Sequence, residues 1–149
     1  MKTIVIPCDF SRHSVQIAET VLRNSEEPIK IIFTHLFRFE HDTHELLFSN
    51  FRSKEYEYVS EQFKRECQML QDLFAEKFIS YRVEFFYGNR LAPFKNFLDY
   101  LEADHIAYSS KYGVPAISKS SLEAIAIIQK AGLPLIDVSV HRSAVAKVS

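Results

Sequence analysis

Two polar segments of this sequence carry residue types that can do chemistry. The first is Pro7-Cys8-Asp9-Phe10-Ser11, which follows a short apolar run. Asp9 stands at the carboxyl end of that run, where ligands of parallel sheets bind. It can equally satisfy backbone N–H groups in the turn or cap the segment that follows. The second segment holds Ser109, Ser110, Lys111, Gly113, Lys119, Ser120 and Ser121. Hydroxyls, lysines and a helix N-terminus bind phosphate or sulfate; the plainer reading is a polar loop with ordinary helix capping. The chain has only 3 glycines in 149 residues (Gly88, Gly113 and Gly132). Loops that cradle phosphate rely on glycine, because side chains keep the backbone N–H groups away from the ligand.

Other chemistry finds less support. His41 and His44 flank Asp42 and sit next to Glu45, but no further ligand is specified elsewhere, so a solvated loop is expected and no metal. Cys8 and Cys67 lack redox or metal spacing, which implies a reducing compartment, and Cys8 reads as a buried small hydrophobe. Arg12 and His13 stand near Cys8, yet no third orienting group or oxyanion hole is evident, and no paired acid and base appears. No catalytic residue is therefore expected.

The elements that position these segments alternate between strand and helix. Residues 4–7 form a β-branched run ending at Pro7, and Ser11 stands where it can cap a helix carrying Val15, Ala18, Val21 and Leu22. Asn24 and Ser25 stop that helix before Pro28, and residues 29–37 read as a second strand. Residues 44–78 have a helical pattern, with Val59, Phe63, Cys67, Leu70, Phe74 and Phe78 on one face. Phe48, Phe51, Tyr56 and Tyr58 stand outside it as an aromatic group suited to a cleft or an interface. Residues 81–87 form a third strand, turned by Gly88 and Asn89. Leu91, Phe94, Leu98 and Leu101 mark a helix with Pro93 in its first turn. Residues 105–109 are a fourth strand and residues 120–131 a last helix ended by Gly132. Residues 133–140 are a fifth strand.

Strands alternating with helices imply right-handed crossovers, a parallel sheet and helices on both faces, a Rossmann-like α/β architecture. Ligands on such sheets bind beyond the carboxyl ends of the strands, where the strand order reverses. No linker or repeat interrupts the chain, so one domain over residues 1–149 is expected. A formal net charge of −1 gives no electrostatic reason for nucleic acid or an anionic membrane as partner. No apolar run nears the roughly 20 residues that span a bilayer, and no signal peptide is read at Met1. The expected setting is the cytoplasm.

The opening IVIPCDFSRHS resembles the first strand and turn of the universal stress protein family, where a hydrophobic strand ends in Pro-x-Asp-x-Ser, here Pro7, Asp9 and Ser11, with Ser14 also matching. IIFTHLF is similar to the family's second strand with its histidine, here His35; VEFFYG and AGLPLIDVSV resemble its third and final strands. The resemblance implies a five-stranded parallel sheet and a dimer through the last strand. A free edge at Leu135, Ile136, Asp137, Val138, Ser139 and Val140 offers a route, by pairing antiparallel with its own copy.

Family members that bind ATP carry a glycine-rich signature after the fourth strand. The corresponding stretch here, SSKYGVPAISKSS, keeps only Gly113, has Ala116 three positions on, and ends in Ser120-Ser121 rather than Gly-Ser. The resemblance thus implies a non-catalytic, dimeric stress-response or regulatory protein with a degenerate ATP site and no cofactor. The alternative is a member that binds ATP, AMP or another small anion through Pro7, Asp9, Ser109, Ser110, Gly113, Ser120 and Ser121. A nucleotide hydrolase of the related adenine-nucleotide group is the further alternative.

Overall fold

A computed structural model describes residues 1–38 and 57–138 of the chain. The order is β1 (Lys2–Pro7), α1 (Arg12–Asn24), β2 (Ile29–Phe37), α2 (Glu61–Leu73), β3 (Phe78–Tyr87), α3 (Leu91–Tyr100), β4 (His105–Tyr108), α4 (Ala124–Gln129) and β5 (Leu135–Asp137). The strands form one 5-stranded sheet in the order β3-β2-β1-β4-β5, and every pairing is parallel. The expected α/β architecture is therefore the observed one.

Side chains alternate across the pleat, so the sheet feeds two cores. Ile4, Ile6, Ile31 and Phe33 pack with Ile17 and Leu22 of α1 and Phe63, Cys67 and Leu70 of α2. On the other face Val5, Ile32, Leu36 and Ile106 pack with Phe94 and Leu98 of α3 and Ile128 of α4. β2 is covered on both faces, which explains its near-continuous apolar sequence.

Three expectations need correction. The helical run does not reach Phe78: α2 ends at Leu73, and the Phe74 carbonyl accepts from the N–H groups of Lys77 (3.0 Å) and Phe78 (2.8 Å), releasing Phe78 into β3 beside Ile29. The last helix does not begin at Ser120. Residues 120–122 are drawn alongside the end of β2, where Arg38 N–H donates to Ser120 O (2.7 Å) and Leu122 N–H to Leu36 O (2.8 Å). Helix α4 starts only at Ala124, capped by the Glu123 carboxylate. The last strand is shorter than expected, at Leu135–Asp137. Ser139 and Val140 lie outside the described residues, as do His41, His44, Phe48, Phe51 and Tyr56. Tyr58 is described and packs against the α1–α2 core, its ring 5.8 Å from that of Phe37.

Candidate functional site

The chain leaves β1 for β2 on one side, while β4 lies on β1's other side. The carboxyl ends of β1 and β4 therefore flank the crevice where open α/β sheets take ligands, and the loops after them carry the candidate residues.

After β1 the backbone turns sharply at Phe10, whose φ is 60°. A bulky residue in the left-handed region costs about 1–3 kcal/mol and persists only when its surroundings enforce it. Here the ring is buried against Phe63 (5.6 Å) and Phe85 (5.5 Å). Anchored this way, the turn folds Asp9 back over the start of α1. Its Oδ1 accepts from Ser11 N–H (3.2 Å) and the Ser14 hydroxyl (3.3 Å). Ser11 occupies the N-cap position of α1, yet its side chain makes no cap bond, contrary to expectation. It lies 3.3 Å from the Tyr112 hydroxyl instead.

Tyr112 is the residue that sequence reasoning passed over. It comes from the loop after β4 and crosses the crevice: its hydroxyl donates to Asp9 Oδ2 at 2.8 Å, and its ring stacks on that of His13, 4.0 Å between centroids and 13° from parallel. The one available signal was an aromatic beside Gly113 in an otherwise small and polar loop. Ser109, fully buried, accepts from Tyr112 N–H (3.1 Å) through its hydroxyl and from Gly113 N–H (2.7 Å) through its carbonyl. Gly113 has φ +76°, a conformation that suits glycine. Partial burial works to raise the Asp9 pKa, but the hydrogen bonds from Ser11, Tyr112 and the backbone outweigh it, and the carboxyl stays below its ordinary value.

The remaining candidates lead elsewhere. Pro7 ends β1 opposite Thr34. Ser110 N–H donates to the Asp137 carboxylate (3.1 Å), tying the loop to β5. Ser120 N–H donates to the Ser118 hydroxyl (3.1 Å). Ser121 serves the interior: its hydroxyl accepts from Ile117 N–H (3.0 Å) and Ser118 N–H (3.2 Å) and lies 2.8 Å from His35 Nε2. With both acceptor sites filled, the hydroxyl proton goes to Nε2, and the opposite nitrogen, Nδ1, donates to Cys8 O (2.6 Å). Burial lowers the His35 pKa, against the raising effects of the Cys8 carbonyl and the Asp9 charge, so the ring is the neutral Nδ1–H form. Hydrogen bonds thus gather Asp9, Ser109 and the Gly113 turn around Tyr112, and place Ser120 and Ser121 in a separate network at the end of β2.

Both thiols are buried, which pushes the pKa of Cys8 and of Cys67 up to about 12. Among the described residues no cluster of metal-ligating side chains occurs, and no helix is long and apolar enough to cross a membrane.

No protein-family model and no curated protein matches the sequence. Solved structures match its fold. The universal stress protein UspA from Lactobacillus plantarum aligns with a TM-score of 0.55 at 12% identity, over 91% of this chain and 96% of its own. A universal stress protein family member from Burkholderia pseudomallei aligns at 0.51 and 12% identity, over 93% and 96%. A family protein from Arabidopsis thaliana, solved with AMP bound, aligns at 0.50 and 11% identity, over 92% and 90%. The chain has the fold of the universal stress proteins.

Proposed function

We propose that this chain is a one-domain, non-catalytic regulatory protein of the universal stress type, working in the cytoplasm as a homodimer, with a nucleotide cleft that is degenerate. The observation that carries the reading is the 2.8 Å bond from Tyr112 to Asp9. The carboxylate that would meet a ligand already accepts from Ser11, Ser14 and Tyr112. A nucleotide must displace an internal hydrogen bond and a ring stack before gaining its own contacts. Isothermal calorimetry with ATP and AMP tests this: the native protein is expected to give no saturable heat. Micromolar binding that is lost in Asp9→Ala overturns the degenerate-site reading.

A second reading, an AMP- or anion-binding protein, is favoured by the AMP in the Arabidopsis structure and by the position of Tyr112 in a loop, where it can swing aside. In that case Tyr112→Ala binds AMP more tightly than the native chain. An enzyme is disfavoured by the state of Ser121. Its hydroxyl faces an imidazole as a nucleophile faces its base, but two backbone N–H groups fill its acceptor sites. ATP turnover above background that disappears in Asp9→Asn would revive the enzyme.

The homodimer reading draws on β5, which among the described residues is the short strand at one edge of the sheet. Val138 N–H donates inward to Tyr108 O and Pro134 O accepts from Ile106 N–H, so alternation turns the Leu135 amide to the open side. Leu135→Pro removes that amide without touching the β4–β5 ladder. Light scattering of this variant is expected to show a loss of β5 pairing. Val138 is unsuited to the purpose, because its side chain is buried in the core.

A further inference from the structure

The opposite edge of the sheet is the longer one. β3 runs for 10 residues, and among the described residues it pairs only with β2. Gly88 N–H donates to Phe37 O at 2.9 Å, and the register is unbroken from Lys30 beside Ser80 to Phe37 beside Tyr87. Even-numbered residues of β3 therefore bond to β2, and Tyr81, Val83 and Phe85 turn their backbone N–H and C=O groups to the open side. Their side chains lie on the α2 face, packed against the core yet only partly buried. Arg82 and Glu84 project from the other face, with side chains 54% and 32% exposed and 3.9 Å apart.

This pattern is self-complementary about Val83: an aromatic ring stands two positions away on either side, and opposite charges stand one position away. We propose that β3 is a self-recognition edge whose partner is a second copy of this chain, laid antiparallel with Val83 on the two-fold axis. Val83 then faces Val83, Tyr81 faces Phe85 and Arg82 faces Glu84. The three facing pairs centred on Val83 exchange about six backbone hydrogen bonds, two for each pair. The charged residues fall at non-hydrogen-bonded positions, where facing side chains come closest and opposite charges stabilise. The charges also select the register. A slip that moves the axis one residue back sets Arg82 against Arg82, and a slip one residue forward sets Glu84 against Glu84. The interface is isologous, as a two-fold axis requires. It uses neither the cleft nor β5, so where β5 also pairs, it joins β5-paired dimers to one another and does not replace that dimer.

Charges on an edge strand also occur simply to keep other strands away, and a mixing experiment separates the two roles. R82E and E84R each place like charges across the axis. Each variant alone is expected to associate through this edge about tenfold more weakly than the native chain, since two cross-strand pairs are reversed at once. An equimolar mixture of the two restores opposite charges and is expected to recover the native association in sedimentation. A Val83→Cys variant reports on the same edge independently of β5. Facing Cα atoms of a hydrogen-bonded pair lie about 5.5 Å apart, within disulfide range, so mild air oxidation is expected to give a covalent dimer. The native chain, with Cys8 and Cys67 buried, is expected to give none. Single variants that associate as the native chain does, a mixture that recovers nothing, or a Val83→Cys chain that stays uncrosslinked would each overturn the proposal, whatever β5 does.

Discussion

His35 Nε2 and the Ser121 hydroxyl lie 2.8 Å apart, joining the end of β2 to a loop 86 positions further along the chain. The same oxygen holds Ile117 and Ser118 through their backbone N–H groups, so one hydroxyl satisfies three neighbours. Ser121→Ala leaves all three without this partner. Each unmet buried group costs about 1–3 kcal/mol, less where solvent reaches it. A loss of about 2 kcal/mol in a urea titration is expected, with Ser121→Thr, which keeps the hydroxyl, losing less. Equal stability of the alanine variant and the native chain would contradict this network.

Acidification should weaken the fold in two windows. The His35 pKa is lowered by burial, so above its ordinary value of 6.5 both folded and unfolded states are neutral and stability is full. Below 6.5 the unfolded chain takes up a proton that the folded one resists, and stability falls. Asp9 acts lower down: its folded pKa lies beneath 3.8, so its contribution is present above 3.8 and is lost as pH falls through the lowered value. The urea midpoint is expected to drop from pH 7 to pH 5, and to do so less steeply in His35→Gln. An unchanged slope in that variant would remove His35 as the cause.

Thr34 presents the opposite case. It is fully buried in β2, and among the described residues its Oγ1 has no hydrogen-bond partner. Thr34→Val keeps the shape and removes the stranded hydroxyl, so a gain of about 1 kcal/mol is expected in the same titration. A loss of stability would show that the hydroxyl is satisfied in solution.

Cys8 and Cys67 are neutral thiols at physiological pH, because burial raises both to about 12. A disulfide reagent is expected to modify them in the native protein only as fast as the fold opens, and both at once in urea. Prompt labelling of Cys8 alone would mean that the end of β1 is open to solvent and reactive.

Much of the fold was legible because local patterns and global architecture agree. The β-branched runs at residues 4–7 and 29–37 match β1 and β2, and the spacing of Leu91, Phe94, Leu98 and Leu101 matches α3 and its end. Pro93, lacking an N–H, sits in the first turn of α3, where none is needed. The misreadings fall where a distant strand competes for backbone bonds. Helical spacing continued through residues 120–123, but the end of β2 offered Arg38 N–H and Leu36 O, and the chain took those instead.

The candidate site divides along the same line. The alternation of strand and helix, the scarcity of glycine after the fourth strand and the Pro7, Asp9, Ser11 pattern stand in the sequence itself. They depend on composition and spacing within one segment. What fills the crevice was decided only by tertiary structure. Besides its local partners Ser11 and Ser14, Asp9 has one 103 positions away, and nothing local to Tyr112 says that its hydroxyl will end 2.8 Å from that carboxylate. A hydrogen bond between loops exists only once parallel packing has set β1 beside β4 and brought their carboxyl ends to the same side of the sheet.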